Sequence, residues 1–311
     1  MQTNKSLRSQ QRLFIGIFAS LLTTTFACSP PPETTANADA SQPDSSSAPS
    51  ETGEATALEN EPAERIVALT SLSADLVATL DVNRLVGIPG SPIITQDSRF
   101  ADIETVSSGR VEPDLEKIVA LSPDLVIGAK GLQDKTLQRL SDLDISTLTI
   151  DIDSWEKLSD FTTAIAATTE ADPQPLLDRY ADCLADVPQK ETTSLVLVSR
   201  QPLLSPNKDS WAGDFLAKMN IQNLSADLQG ESPFDGYVTL SAEKVIEADP
   251  DSLIIIDTQE DLLSQLEGEP FWSQLQATQS GNVVTSDYFG LVNPGSLASI
   301  ETACDQLKQI D

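Results

Sequence analysis

Two stretches of this chain carry the same pattern, and a fold must accommodate both. Leu115-Glu116-Lys117-Ile118 runs on to Pro123-Asp124-Leu125-Val126-Ile127, and Ala242-Glu243-Lys244-Val245 runs on to Pro250-Asp251-Ser252-Leu253-Ile254. In each copy the glutamate stands seven positions before the proline. A short amphipathic run opens on Glu-Lys, proline ends it because its ring cannot continue a helix, and a β-branched run follows as a buried strand. A helix–strand unit used twice predicts two similar lobes, and two lobes predict a cleft that can hold a ligand.

The rest of the body, from Arg65 onward, alternates in the same way. Strands are expected at Ile66 to Leu69, Leu85 to Ile88, Leu125 to Ile127, Thr147 to Ile150, Leu195 to Val198, Leu253 to Ile256 and Val283 to Val284. Helices are expected at Ser73 to Leu80, Leu115 to Leu121, Thr136 to Leu143, Phe215 to Met219, Ala242 to Ala248 and Leu297 to Gln309. Strands separated by helices imply parallel sheets covered by helices on both faces. Trp155 to Val187 is helical by period and interrupted at Asp172-Pro173-Gln174-Pro175, so Gln174 to Asp186 is read as the helix joining the lobes. The resulting division is an N-terminal α/β lobe over 65–153, a helical connection over 154–188 and a C-terminal α/β lobe over 189–311.

The segment before Arg65 is different in kind. Lys5, Arg8 and Arg12 precede the apolar run Leu13 to Leu22, and Thr25-Phe26-Ala27-Cys28 follows. That order reads as an export signal over residues 1–28, its apolar run too short for a stable bilayer span. Residues 29–64 hold eight acidic residues and no Lys, Arg or aromatic side chain. With so little to bury they read as a disordered tether with a reach of roughly 35 Å. The formal charge is −29, and 16 basic residues face 40 acidic ones from Arg65 onward. Nucleic acid and anionic lipid surfaces are poor partners for such a body. The chain has no histidine, which removes His-based metal sites and any Ser-His-Asp triad, and no phosphate-cradling glycine loop appears. An enzymatic role and a resident cofactor are therefore not expected. Cys183 and Cys304 are an even pair in an exported chain, which leaves a disulfide and two buried thiols both open.

Taken in order, Arg65-Ile66-Val67-Ala68-Leu69, Arg84-Leu85-Val86-Gly87, Val111-Glu112-Pro113-Asp114-Leu115-Glu116-Lys117-Ile118, Leu121-Ser122-Pro123-Asp124-Leu125-Val126-Ile127 and Ser286-Asp287-Tyr288-Phe289 resemble the substrate-binding proteins of ABC importers for ferric siderophores and vitamin B12. Asp75 departs from the family's usual glutamate. The resemblance implies two Rossmann-like lobes joined by a single interlobe helix, the class III periplasmic-binding-protein architecture. It implies a ferric siderophore of hydroxamate or citrate type as ligand. Cobalamin or a haem-like ligand, and a sensor or scaffold without transport, are the alternatives. It also implies an extracytoplasmic monomer anchored through acylated Cys28 in a lipobox-like context, and delivery to an ABC permease dimer with its cytoplasmic ATPase.

Ligands of open parallel sheets sit beyond the carboxyl ends of the strands. Ser71, Lys130, Arg200, Trp211, Tyr288 and Phe289 lie on or after such ends. Arg110 and Tyr237 each precede the repeated glutamate by six positions, so the repeat predicts that they face one another across the cleft. An arginine there suits electron-rich chelate oxygens, and aromatic faces suit the organic arms. By the resemblance, Glu116 and Glu243 dock on paired arginines of the permease. Trp155 and Trp272 read as structural.

Overall fold

The computed structural model describes residues 62–108, 111–257 and 261–310. The export signal, Cys28, the tether up to residue 61 and Arg110 lie outside the described residues.

The first half builds one sheet. Its elements are β1 (Ile66–Ala68), α1 (Ser71–Asp81), β2 (Leu85–Ile88), α2 (Pro92–Thr95), β3 (Glu104–Thr105), α3 (Leu115–Ala120), β4 (Leu125–Ala129), α4 (Asp134–Ser141) and β5 (Ser146–Ile150). The strands stand in the order β3-β2-β1-β4-β5, every pair parallel. Because β1 is central and the chain winds outward from it in both directions, the sheet reverses between β1 and β4. Their carboxyl ends, Thr70-Ser71 and Ala129-Lys130, flank the crevice that such a reversal creates.

Two helices follow, α5 (Trp155–Thr169) and α6 (Gln174–Leu184). Between 174 and 186 the sequence predicts the joining helix, and α6 fills that segment. It packs on the last helix of the chain, however, while the longer α5 touches both halves. At its start the Trp155 N–H donates to Asp214 at 2.8 Å, and near its end Thr168 accepts from the Ala63 N–H at 2.8 Å. The connection is thus made by two helices with distinct partners. The proline turn at Asp172-Pro173 separates them.

The second half continues with β6 (Thr193–Leu197), β7 (Ser199–Arg200), β8 (Leu203–Pro206), α7 (Trp211–Lys218), β9 (Gln222–Asn223), β10 (Tyr237–Leu240), α8 (Ala242–Ala248), β11 (Ser252–Asp257), α9 (Leu262–Glu267), α10 (Gln276–Ser280), β12 (Val283–Asp287), α11 (Tyr288–Leu291) and α12 (Leu297–Lys308). A parallel sheet runs β12-β11-β6-β9. A second, antiparallel sheet, β10-β8-β7, was not expected from the sequence pattern. Its strands are two to four residues long; β7 and β8 pair as a tight hairpin around Gln201-Pro202, while β8 and β10 pair across more than thirty positions, so no local period announces the sheet.

The repeated unit explains itself in the bonds it makes. Asp114 and Ser241 cap α3 and α8, each accepting from the N–H of the lysine three residues on, so Glu116 and Glu243 occupy the same second helical position. Each helix is followed by a left-handed residue just before the proline, Ser122 with φ 48° and Asp249 with φ 36°. The aspartate after each proline then reaches sideways. Asp124 accepts from the Glu64 and Arg65 N–H groups at 2.8 and 3.0 Å, and Asp251 accepts from the Thr193 N–H at 2.8 Å. In both halves the Pro-Asp pair therefore ties the central strand that follows it, β4 or β11, to the start of the sheet's first strand, β1 or β6.

The halves share a core. One apolar cluster contains Ile66, Leu76 and Ile127 of the first half together with Val196, Ile254 and Phe215 of the second, joined through Trp155, Leu158 and Ile165 of α5. A close-packed apolar continuum of this kind resists hinge motion. Cys183 of α6 and Cys304 of α12 form a disulfide with a Cα–Cα distance of 5.8 Å, both buried. Among the described residues no helix is long and apolar enough to cross a membrane.

Candidate functional site

The crevice side of the molecule is assembled from strand-end loops. In the first half α1 begins immediately after β1, its Thr70 hydroxyl accepting from the Ser73 N–H at 3.2 Å, which leaves Ser71 half-buried in the first turn. The loop after β2 passes close to the loop after β3: a Cβ added to Gly90 would lie 2.2 Å from the Ser107 carbonyl oxygen, so only glycine permits that approach. Two large apolar side chains stand exposed on strand-end loops, Val111 after β3 at 67% and Leu132 after β4 at 77%.

In the second half β12 runs straight into α11, and Tyr288 and Phe289 meet edge to face with ring centroids 5.1 Å apart. The turn after them is tight. The Gly295 N–H donates to the Phe289 carbonyl at 2.8 Å, and a Cβ on Gly295 would come within 2.9 Å of both the Phe289 ring and Ile93 of the first half. Here the two halves meet. Tyr237 opens β10, half-buried, within electrostatic reach of Tyr288. Burial, with a smaller contribution from Tyr288, raises its phenol well above the usual tyrosine range, so it is a neutral O–H donor at physiological pH. Its hydroxyl points to the Val292 carbonyl at 3.5 Å, too long for a good hydrogen bond. Thr239 shares the face of β10 with Tyr237, and with Glu231, Ser232 and Pro233 it lines an open concavity of about 490 Å³. Phe234, in the loop above it, is 62% exposed.

Three predicted ligand residues are committed elsewhere. Trp211 is only 3% exposed: its indole packs on Trp155 and Phe215, with centroids at 5.3 and 5.5 Å, and its N–H donates to the Gly290 carbonyl at 2.9 Å. It does not line the cleft but holds the Tyr288–Phe289 turn from behind. Lys130 pairs with Asp151 at 2.9 Å, and Arg200 pairs with Glu269 across β7 and the segment after α9. The indole had to be buried because α5 and α7 converge on it, and the cations found acids because this surface is rich in them. Trp155 is buried and Trp272 packs against the second half's core. Sequence reading missed Val111, Leu132 and Phe234. An apolar residue flanked by glycine, proline or charged neighbours, as in Gly131-Leu132 and Pro233-Phe234-Asp235, was the available signal.

Glu116 and Glu243 are both exposed, and neither makes an ion pair or side-chain hydrogen bond among the described residues. The neighbouring lysines turn elsewhere, Lys117 to Glu104 and Lys244 to Glu247, each at 2.9 Å. Two uncommitted carboxylates therefore stand at equivalent positions of the two halves.

Known proteins share the sequence pattern and the fold. The family model described as periplasmic binding protein matches residues 66–288. The vitamin B12-binding protein of Salmonella typhimurium is 26% identical over 209 residues, covering 64% of this chain and 74% of that protein. The Fe(3+)-citrate-binding protein of Bacillus subtilis is 26% identical over 226 residues, covering 68% and 69%. Among solved structures, an ABC transporter substrate-binding protein from Listeria monocytogenes superimposes with a TM-score of 0.67 at 22% identity, over 81% of this chain and 98% of that one.

Proposed function

Because this chain belongs to the family of periplasmic binding proteins, we propose that it captures a ferric siderophore at the crevice between its two sheets and delivers it to an ABC permease. Proteins of this kind bind solutes, perform no chemistry and work with a permease and its ATPase. The observation that carries the ligand assignment is the aromatic corner formed by Tyr237, Tyr288 and Phe289, with a phenol donor left poorly satisfied. Aromatic faces can cover the organic arms of a chelate while the Tyr237 hydroxyl donates to an iron-bound oxygen.

Charge favours the hydroxamate type over citrate. A ferric trihydroxamate is neutral, whereas ferric citrate complexes are anionic and would approach a chain of formal charge −29. Lys130 and Arg200, two cations placed at strand ends, are already paired. Arg110 supplies the guanidinium in this reading. Cobalamin is the second reading, favoured by the 26% identity to a vitamin B12-binding protein.

Glu116 and Glu243 serve delivery. Matching free carboxylates suit a two-fold receptor bearing arginines, where exposed ion pairs contribute register and encounter rate more than affinity. Acylation of Cys28, followed by the tether, would hold the body at the outer face of a membrane. The chain acts as a monomer, with 65–153 and 189–311 as its lobes and 154–188 between them.

The test is a fluorescence titration of the full chain with a ferric trihydroxamate, ferric citrate, haemin and cyanocobalamin. Trp211 is a built-in reporter, since its N–H bonds to the turn carrying Phe289. Binding of the trihydroxamate below about 10 μM, roughly −7 kcal/mol, is the expected result. Failure of all four ligands to bind at that level removes the reading.

A further inference from the structure

We propose that Asp75 is a positioning residue that sets the width of the ligand crevice by gripping one crevice loop from each half. The proposal rests on the ligand reading above and adds what fixes the geometry of that site. Asp75 lies in α1 and is 2% exposed. One carboxylate oxygen, Oδ1, accepts from Arg99 Nη2 at 2.7 Å; the other, Oδ2, accepts from the Leu297 N–H at 2.7 Å, across 222 positions of sequence.

Each partner belongs to a segment that borders the crevice. Arg99 stands in the 92–103 stretch after β2, locked by Asp97 through its Nε at 2.9 Å and its Nη2 at 2.7 Å, and that stretch carries Ile93. Leu297 is the first residue of α12 and ends the turn that carries Tyr288, Phe289 and Gly295. Ile93 and Phe289 are the side chains that close on Gly295. The two segments that meet at Gly295 are therefore also joined by one carboxylate, with one oxygen for each side.

The surroundings leave no slack. Arg179 and Tyr180 of α6 lie within electrostatic reach of Asp75, Arg179 is held by Glu301 of α12 at 2.7 Å, and the Tyr180 hydroxyl bonds to Thr162 of α5 at 2.8 Å. Helices α1, α6 and α12 thus meet around the carboxylate, and α5 supports them through Tyr180. Removing the carboxylate strands the buried Leu297 N–H and leaves the Arg99 guanidinium held by Asp97 alone, whereas asparagine keeps an acceptor for one partner and loses the charge for the other.

The experiment compares the full-length wild type with Asp75→Asn and Arg99→Met. Amide hydrogen exchange is followed over 92–103 and 296–299, and affinities are measured for a ferric trihydroxamate and for cyanocobalamin, which differ in width. In Asp75→Asn, exchange should accelerate about tenfold or more in both segments while β4 and β11 stay protected. The ratio of the two dissociation constants should move at least fivefold. Arg99→Met, which leaves the Leu297 bond in place, should loosen 92–103 more than 296–299 and move the ratio in the same direction. Parallel weakening of both ligands with an unchanged ratio, or unchanged exchange in either segment of Asp75→Asn, would overturn the proposal. If Asp75→Asn fails to fold, Arg99→Met decides by the same ratio. A wild type that binds neither probe would contradict the ligand reading instead, and the exchange result alone would then decide whether Asp75 couples the two loops.

Discussion

The two halves of this molecule agree in the exposed, repeated helix–strand unit and differ in the loops and strands that border the crevice. Outside, α3 and α8 share an N-cap, an exposed glutamate at the second position, a left-handed exit and a Pro-Asp whose carboxylate holds the first strand of the sheet. Inside, the first half offers loops, with Gly90 pressed on Ser107 and Val111 exposed, while the second interposes the antiparallel β7-β8-β10 sheet and the aromatic corner. A duplicated scaffold with matched outer faces suits a symmetric receptor. Its unmatched inner faces suit an asymmetric ligand.

The largest effect that would sharpen this contrast is expected on the outer faces. Glu116→Ala together with Glu243→Ala should reduce ligand uptake by whole cells at least tenfold while leaving the dissociation constant unchanged. Either single variant should fall between. Uptake that persists in the double variant would break the equivalence of the two faces.

On stability rather than uptake, the leading effect is that of the disulfide, which links α6 to α12 across a sequence separation of 121 residues and has no counterpart in the first sheet. Cys183→Ser with Cys304→Ser should lower stability by about 4 kcal/mol on the chain-entropy model. Urea unfolding measures it. Hydrogen exchange should locate the loss at α6 and α12 before β1 or β4.

On the inner face, Tyr237→Phe should weaken the trihydroxamate about threefold to tenfold, the worth of roughly one hydrogen bond of about 1 kcal/mol. The same change on the cobalamin affinity should be smaller. Calorimetric titration gives both numbers.

The smallest effect concerns alkaline pH. Burial raises Tyr237 and pushes Tyr180 up to about 12, so both stay protonated in the folded chain after the unfolded chain has begun to lose its protons near pH 10. The folded state then binds more protons than the unfolded one, and stability falls as pH rises above 10. Tyr180→Phe should flatten that fall, as read from urea midpoints between pH 9 and 11.

The same contrast governs what could be read in the sequence. The helix–strand unit was legible because proline, the β-branched runs at Leu125 to Ile127 and Leu253 to Ile256, and the amphipathic period are local signals. The parallel sheets followed from them. The antiparallel sheet was not legible, because Leu203 to Pro206 is paired along its whole length only by the distant Tyr237 to Leu240, β7 reaching just Leu203 and Leu204. That sheet also decides the setting of Tyr237, which lies in a strand rather than in a loop matching the one that leads into α3. Trp211 looked like a crevice residue by position, yet the convergence of α5 and α7 buries it. Asp75 was visible only as a departure from a family pattern, since its partners lie 24 and 222 positions away.

Whether the ligand sits against the aromatic corner is decided most directly by paramagnetic broadening. High-spin Fe(III) in a trihydroxamate broadens the resonances of nearby nuclei, and the diamagnetic gallium(III) complex of the same chelator does not. With iron, the ring signals of Tyr237, Tyr288 and Phe289 should disappear at one equivalent, and with gallium they should shift but remain. Broadening that spares these rings and falls instead on residues around the Cys183–Cys304 disulfide would contradict the assignment of the site.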